Sequence, residues 1–323
     1  MPWPRLQMGP PARLRSAPIE VEVLFEKTHG RLVMKPVLLL ILLALAACKR
    51  PDTAEGDVEG LDLDGLSRYI FSHNKTADDK VLGKGLASLE TWLDTFVEGG
   101  AITTTTPLHQ RSWTIEALDD DDVKTLPKRP ARPISATKGS AVAYLSPYKI
   151  ECHAALQTIV DERAVEPTAK RYDRTFINQE QPTCFIDGDC PTLQTSNSVR
   201  RENPIFWAEF TLWKDFRWVS YEKDGAARRA FISRGWFAES SDGPDGPEGS
   251  QLWQSYDVDV WIERGGEVLR YEVVWTETEL YIVGIRVDAD AELSTLSGAT
   301  DGVFTAGDQY IKDTLIPADA CKN

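Results

Sequence analysis

Ser255-Tyr256-Asp257-Val258-Asp259-Val260-Trp261, followed shortly by Leu269-Arg270-Tyr271-Glu272-Val273-Val274-Trp275, is the stretch that decides the fold of this chain. Tyr256, Val258 and Val260 alternate with aspartates, a period-two pattern that predicts a strand with one apolar and one wet face. Leu269, Tyr271, Val273 and Trp275 supply a matching apolar face. Arg264-Gly265-Gly266-Glu267 lies between them with the residues a tight antiparallel turn needs.

The same grammar extends outward. Lys223-Asp224-Gly225-Ala226 predicts a second hairpin, joining strands at 217–221 and 229–237. Further strands are expected at 141–145, 171–177, 205–213 and 280–287, and the glycine, proline and acid-rich 240–250 as a long loop. Ser146-Pro147 ends the first strand before a helical piece at 150–160, and 304–315 reads as a closing helix. Upstream, Leu63, Leu66 and Ile70, then Leu82, Leu86, Leu89, Leu93 and Val97, recur at helical spacing and predict two helices that bury one face each. The expected class is α+β: a two-helix segment (61–100), a proline-bearing surface connector (101–137), an antiparallel β-meander domain with a C-terminal helix (138–317) and a tail (318–323), with a β-sandwich or barrel as the alternative.

Before the helices, residues 48–60 have almost nothing to bury and read as a tether. Ahead of them, Met34-Lys35 followed by the apolar run 36–47 is too short for a bilayer-spanning helix and reads as a signal peptide. Its ending, Leu45-Ala46-Ala47-Cys48, resembles the lipobox of bacterial lipoproteins. That resemblance implies cleavage before Cys48, lipidation of its sulfur, and residence at the outer membrane, since Lys49 replaces the aspartate of inner-membrane retention. Residues 1–47 therefore stand outside the fold, and Met34 is the expected start.

The element order over residues 139–316 resembles the helix-grip fold of START-type lipid-binding and polyketide-cyclase-like domains, which implies a sheet folded around the last helix and an apolar cavity. Segments such as Tyr172-Asp173-Arg174-Thr175-Phe176 and Trp213-Lys214-Asp215-Phe216-Arg217-Trp218 look like those of uncharacterised lipoproteins of myxobacteria, a resemblance that implies no activity.

Of the 36 basic and 50 acidic residues, six and three precede Cys48, which leaves a charge near −17 on the rest and argues against nucleic acid as a partner. Besides Cys48 there are Cys152, Cys184, Cys190 and Cys321, an even set in an exported protein. Three pairings are possible; the tight loop favours Cys184 with Cys190, leaving Cys152 with Cys321. No zinc-ligand spacing, phosphate loop, dinucleotide fingerprint or nucleophile elbow is present, and no cofactor is expected. Asp62-Leu63-Asp64-Gly65 only faintly resembles a calcium loop and reads as a helix start, and the acidic run 119–122 reads as a solvated loop. His153 beside Cys152 is a poor thiol-base pair, because helical neighbours diverge by about 100°. Asp257 with Asp259, or Glu277 with Glu279, have glycosidase-like spacing but read as solvated surface. Phe206, Trp207, Phe210, Trp213, Phe216, Trp218, Trp236, Phe237 and Trp253 line either the core, a cavity or a flat binding face. No catalytic residue is assigned. The expected function is a lipid-anchored envelope interaction or structural protein, with a module binding a lipid or apolar small molecule as the alternative and a carboxylate hydrolase as the second.

Overall fold

The computed structural model describes residues 58–315 apart from 101, 104, 204, 205, 242, 244–248, 283 and 284. The leader, Cys48, most of the tether and Cys321 lie outside the described residues. Helix α1 (Leu63–His73) begins where Asp62 accepts a hydrogen bond from the Gly65 amide at 2.9 Å, so the faint calcium-loop motif is a helix cap. Asp78 does the same for Val81 at 2.8 Å to start α2 (Asp79–Glu98). Leu66, Ile70, Leu82, Leu86, Leu89 and Leu93 are all buried, as the helical periodicity predicts.

One eight-stranded antiparallel sheet forms the centre. Its strands are β1 (Ser112–Ile115), β2 (Lys138–Ser146), β3 (Ala169–Phe176), β4 (Thr192–Asn203), β5 (Phe206–Lys223), β6 (Ala226–Phe237), β7 (Gln251–Arg264) and β8 (Glu267–Glu279), with the short helix α3 (Asp120–Val123) between β1 and β2 and α4 (Ile150–Leu156) between β2 and β3. The spatial order is β1-β2-β8-β7-β6-β5-β4-β3, a meander whose last strand returns beside the first long one. Both glycine turns form the expected hairpins: Asp224 and Gly225 sit at φ 52° and 74°, and Gly265 and Gly266 at 59° and 108°, the left-handed backbone these two-residue loops require. A two-strand ribbon, β9 (Tyr281–Ile282) with β10 (Ile285–Arg286), precedes helix α5 (Ala289–Tyr310).

Side chains alternate across the strands, so each face can be read residue by residue. Val219, Tyr221, Ile232, Val258, Val260 and Tyr271 lie on the face that shares a core with α1 and α2. On the other face Phe304 of α5 packs against Val142 and Tyr144 of β2, while Ile150 and Ala154 of α4 and Phe185 pack against Phe216, Trp218, Phe231 and Trp261. The protein is thus α+β, with a helix-grip-like sheet and C-terminal helix and a further helical pair on the opposite face.

Several expectations change. The sheet has no wet face at 256–260: Asp257 and Asp259 are only 8% and 1% exposed, because α5 and its neighbours cover that side. Strand β4 is absent from the sequence reading because polar Thr195 and Asn197 interrupt its buried side between Leu193 and Val199. Asn197, buried there, is satisfied by donating to Leu212 O and Thr195 Oγ1 and accepting from Arg174. Where two strands were expected, Phe206–Lys223 form a single one, running straight through Lys214-Asp215. The connector contributes edge strand β1, and its acidic run is helix α3, with Asp119 and Asp122 clamping Arg68 of α1. In place of one strand at 280–287, Tyr281–Ile282 pair with Ile285–Arg286 as the small ribbon, and α5 begins fifteen residues before the 304 start read from sequence.

Candidate functional site

Register places the charged residues of the α5 face in rows. Lys214 on β5 stands opposite Gly235 on β6, Gly235 opposite Asp257 on β7, and Asp257 opposite Val274 on β8. The adjacent row carries Phe216, Ser233, Asp259 and Glu272, and the next Trp218, Phe231, Trp261 and Arg270. Because Gly235 has no side chain, Lys214 reaches over it: its Nζ lies 3.6 Å from Asp257 Oδ1 and 3.6 Å from Asp259 Oδ2. A Cβ at 235 would fall 2.2 Å from Asp257 Oδ2, so glycine is the only residue that leaves this space.

Further along, Arg270 donates to Asp259 at 3.1 Å and Glu272 at 3.2 Å, and its guanidinium lies between the Trp261 ring (5.0 Å) and the Phe304 ring of α5 (3.9 Å). Burial pushes the Glu272 carboxyl well above its usual range, and the charge of Asp259 beside it adds to the shift. Burial also raises Asp257, against the pull of Lys214. Asp259 stays below the usual carboxylate range: burial opposes this, but Arg270 and Lys214 outweigh it. Burial disfavours the Lys214 ammonium, yet Asp257 and Asp259 hold it charged. The arrangement is a buried carboxyl pair, Glu272 and Asp259, whose proton affinities are pushed in opposite directions inside a network of cations.

Above this floor, between the sheet and α5, is a cavity of about 220 Å³. Phe210, Leu212, Phe237, Val274, Leu296 and Val303 make its apolar wall, and Lys214, Asp257, Glu272, Arg201, Ser255 and Thr300 its polar part. The Phe210 and Phe237 rings stack with centroids 4.0 Å apart. Asp257 Oδ1 and Arg201 Nε are buried with no hydrogen-bond partner, and Lys214 Nζ is beyond hydrogen-bonding distance of both its carboxylates. Buried polar groups are ordinarily paired, and of the unpartnered ones among the described residues Arg201 Nε and Asp257 Oδ1 are those that line this cavity. A wider cleft of about 580 Å³ lies beside Lys75, Asp79 and β4–β5, but its charges are committed: Asp215 accepts from Arg234 (3.0 Å) and Gln194 (2.7 Å), and Arg217 donates to Asn74 O and Ala77 O.

The sequence-derived candidates divide. Asp257 and Asp259 belong to the site, as buried network members rather than solvated surface. Glu277 is tied up outside it by Arg132 and Gln254. Of the aromatics, Phe210 and Phe237 line the cavity, whereas Trp213 and Trp236 pack with the α1–α2 core and Phe216 and Trp218 with Phe185. Lys214, Arg201, Arg270, Glu272 and Gly235 were not singled out from sequence; only the strand register brings them together.

His153 is fully buried and neutral, its pKa lowered to about 3 by burial and by Arg270. Its Nε2 meets Ser146 Oγ at 2.9 Å; Ser146 donates to Asp308 Oδ1 at 2.7 Å, so the imidazole proton sits on Nε2. Cys152 is disulfide-bonded, which removes the thiol-base pair; Cys321, its expected partner, lies outside the described residues. Cys184 and Cys190 form the expected disulfide, with Cα atoms 5.2 Å apart. Among the described residues no cluster of metal-ligating side chains occurs, and no helix is long and apolar enough to cross a membrane.

No known protein family matches the sequence, and no curated protein matches it either. Among solved structures, the chain is similar to a STAR-related lipid transfer protein from Xanthomonas axonopodis (8% identity, 55% of this chain and 88% of that one, TM-score 0.34). It is also similar to Ara h 8.0201 (10%, 55% and 99%, TM-score 0.28) and to the human StarD13 lipid transfer and protein localization domain (10%, 54% and 76%, TM-score 0.30). Scores this low carry no argument, and the account of the site stands on the chain's own geometry.

Proposed function

We propose that this protein is a lipid-anchored envelope binding module that holds one small amphiphilic molecule between its sheet and C-terminal helix. The observation that carries the reading is the cavity under α5, where an apolar wall meets a charged floor with unpaired hydrogen-bonding atoms. A purely structural protein gains nothing from orphaned buried charges, each costing about 1–3 kcal/mol; a ligand that completes their hydrogen bonds recovers that cost.

The volume sets the scale. At about 30 Å³ per water, 220 Å³ corresponds to roughly seven water molecules, below the usual range of about 300–1,000 Å³ for drug-sized ligands. The occupant is therefore a compact molecule rather than a long-chain lipid. The anchor rests on Leu45-Ala46-Ala47-Cys48. A Cys48→Ser variant tests it by fractionation and palmitate labelling: loss from the membrane fraction supports the anchor, and unchanged sedimentation removes it. Binding is tested separately by unfolding protein purified from its own envelope beside the same protein stripped by denaturation and refolding. A ligand that binds only the folded state raises the unfolding temperature of the former; coincident curves argue against an occupant.

A further inference from the structure

The geometry points to a neutral head group that both donates and accepts hydrogen bonds, a hydroxyl or a primary amide, as what the cavity floor recognises in its ligand. This rests on the binding reading above and specifies its chemistry. Two unpartnered atoms and one loosely held cation set the demand: Arg201 Nε offers a donor, Asp257 Oδ1 needs one, and Lys214 Nζ, ion-paired at 3.6 Å, has N–H donors to spare. A carboxylate would satisfy the two cations but leave Asp257 Oδ1 facing a like charge. An ammonium would satisfy Asp257 but face Lys214. One hydroxyl or amide accepts from Lys214 and donates to Asp257 together.

Charge arithmetic agrees. Lys214, Arg201 and Arg270 face four carboxyls, Asp259, Asp257, Glu272 and Glu166, which accepts from Arg201 at 2.9 Å; burial pushes two of the four, Asp257 and Glu272, toward the neutral form. The floor is close to neutral overall, so it offers no net field for an ion of either sign and its selectivity is one of hydrogen-bond pattern. Gly235 makes this possible, since it keeps the Lys214 and Asp257 head groups 3.6 Å apart, in reach of one shared ligand group but not hydrogen-bonded to each other.

The test is a series sharing one apolar body: toluene, benzyl alcohol, benzamide, benzoate and benzylammonium, titrated into the full chain and followed by chemical shifts of the cavity residues. Benzyl alcohol and benzamide are expected to bind at least about tenfold tighter than the other three, about 1.4 kcal/mol. In Asp257→Ala the floor gains a net positive charge, and benzoate is expected to overtake them, with toluene unchanged as the control for an intact cavity. If wild-type protein prefers benzoate or benzylammonium, the cavity binds ligands but the head-group assignment is overturned. If toluene binds as well as the alcohol, the floor plays no part and the assignment is equally overturned. If no member shifts a cavity resonance, the binding reading itself falls. Should Asp257→Ala not fold, the wild-type ranking alone decides.

Discussion

Gly235→Ala is the sharpest perturbation of the charged row. In most strand interiors this change is favourable by about 0.5–1 kcal/mol, because alanine has less backbone entropy to lose. Here the new methyl would sit 2.2 Å from Asp257 Oδ2, 2.6 Å from Oδ1 and 2.7 Å from Cγ, so the whole carboxylate must move by about an ångström or more to restore ordinary contact. Moving it separates Asp257 from Lys214 where both side chains are largely buried, and breaking a buried ion pair costs about 3–5 kcal/mol. Net destabilisation of roughly 2–4 kcal/mol follows, or about 5–15 °C in unfolding temperature for a chain of this size. Chemical denaturation of the single and double variants gives the decisive comparison: in an Asp257→Ala background the methyl meets no carboxylate, and Gly235→Ala becomes neutral or stabilising. If it is tolerated equally well in both backgrounds, the glycine does not serve the aspartate and the description of the row is wrong.

Other consequences can be measured alongside. The Asp308 carboxyl, raised to about 6 by burial despite hydrogen bonds from Ser146 and Tyr144, binds its proton more tightly folded than unfolded. Its contribution is therefore fully present below pH 3.8 and lost as pH rises through about 6. Asp308→Asn removes that slope, so denaturation between pH 4 and 7 should show the variant gaining on wild type as pH rises, by no more than about 3 kcal/mol; a constant difference refutes it. Because burial favours the proton-bound form of Glu272, Glu272→Gln should cost under about 1 kcal/mol at neutral pH, whereas loss of an ionised buried partner costs several. Removing the Cys184–Cys190 bond should cost about 2 kcal/mol on the chain-entropy model. Phe185→Ala, which empties the slot against Phe216, Trp218 and Phe231, should cost about 3–5 kcal/mol, both read from denaturant midpoints.

Much of the scaffold was legible because its signals are local. The β7–β8 alternation, the two glycine turns and the leucine stripes of α1 and α2 each need only a few neighbouring residues. Strand β4 was hidden because its buried Thr195 and Asn197 are polar: Asn197 donates to Thr195 on its own strand and finds its other partners on β3 and β5. Helix α5 was read too short because its buried line runs through Ser297, Thr300 and Gly307 as well as Phe304, leaving no apolar stripe to count. The same fact hid the site. Alternating aspartates show which face of β7 is apolar but not whether the other is wet, and a helix with a weak apolar stripe gives no warning that it covers charges. Lys214, Gly235 and Asp257 are far apart in sequence, and only the register of three strands makes them one row.

The claim on which the rest depends is that the cavity under α5 has an occupant, and mass spectrometry under non-denaturing conditions addresses it directly. Protein extracted from its own envelope without denaturant should carry one small non-covalent adduct. That adduct should be absent from Val303→Trp, which fills the cavity from α5 while leaving the charged row in place. A bare protein mass, or an adduct that persists in the filled variant, would contradict the account.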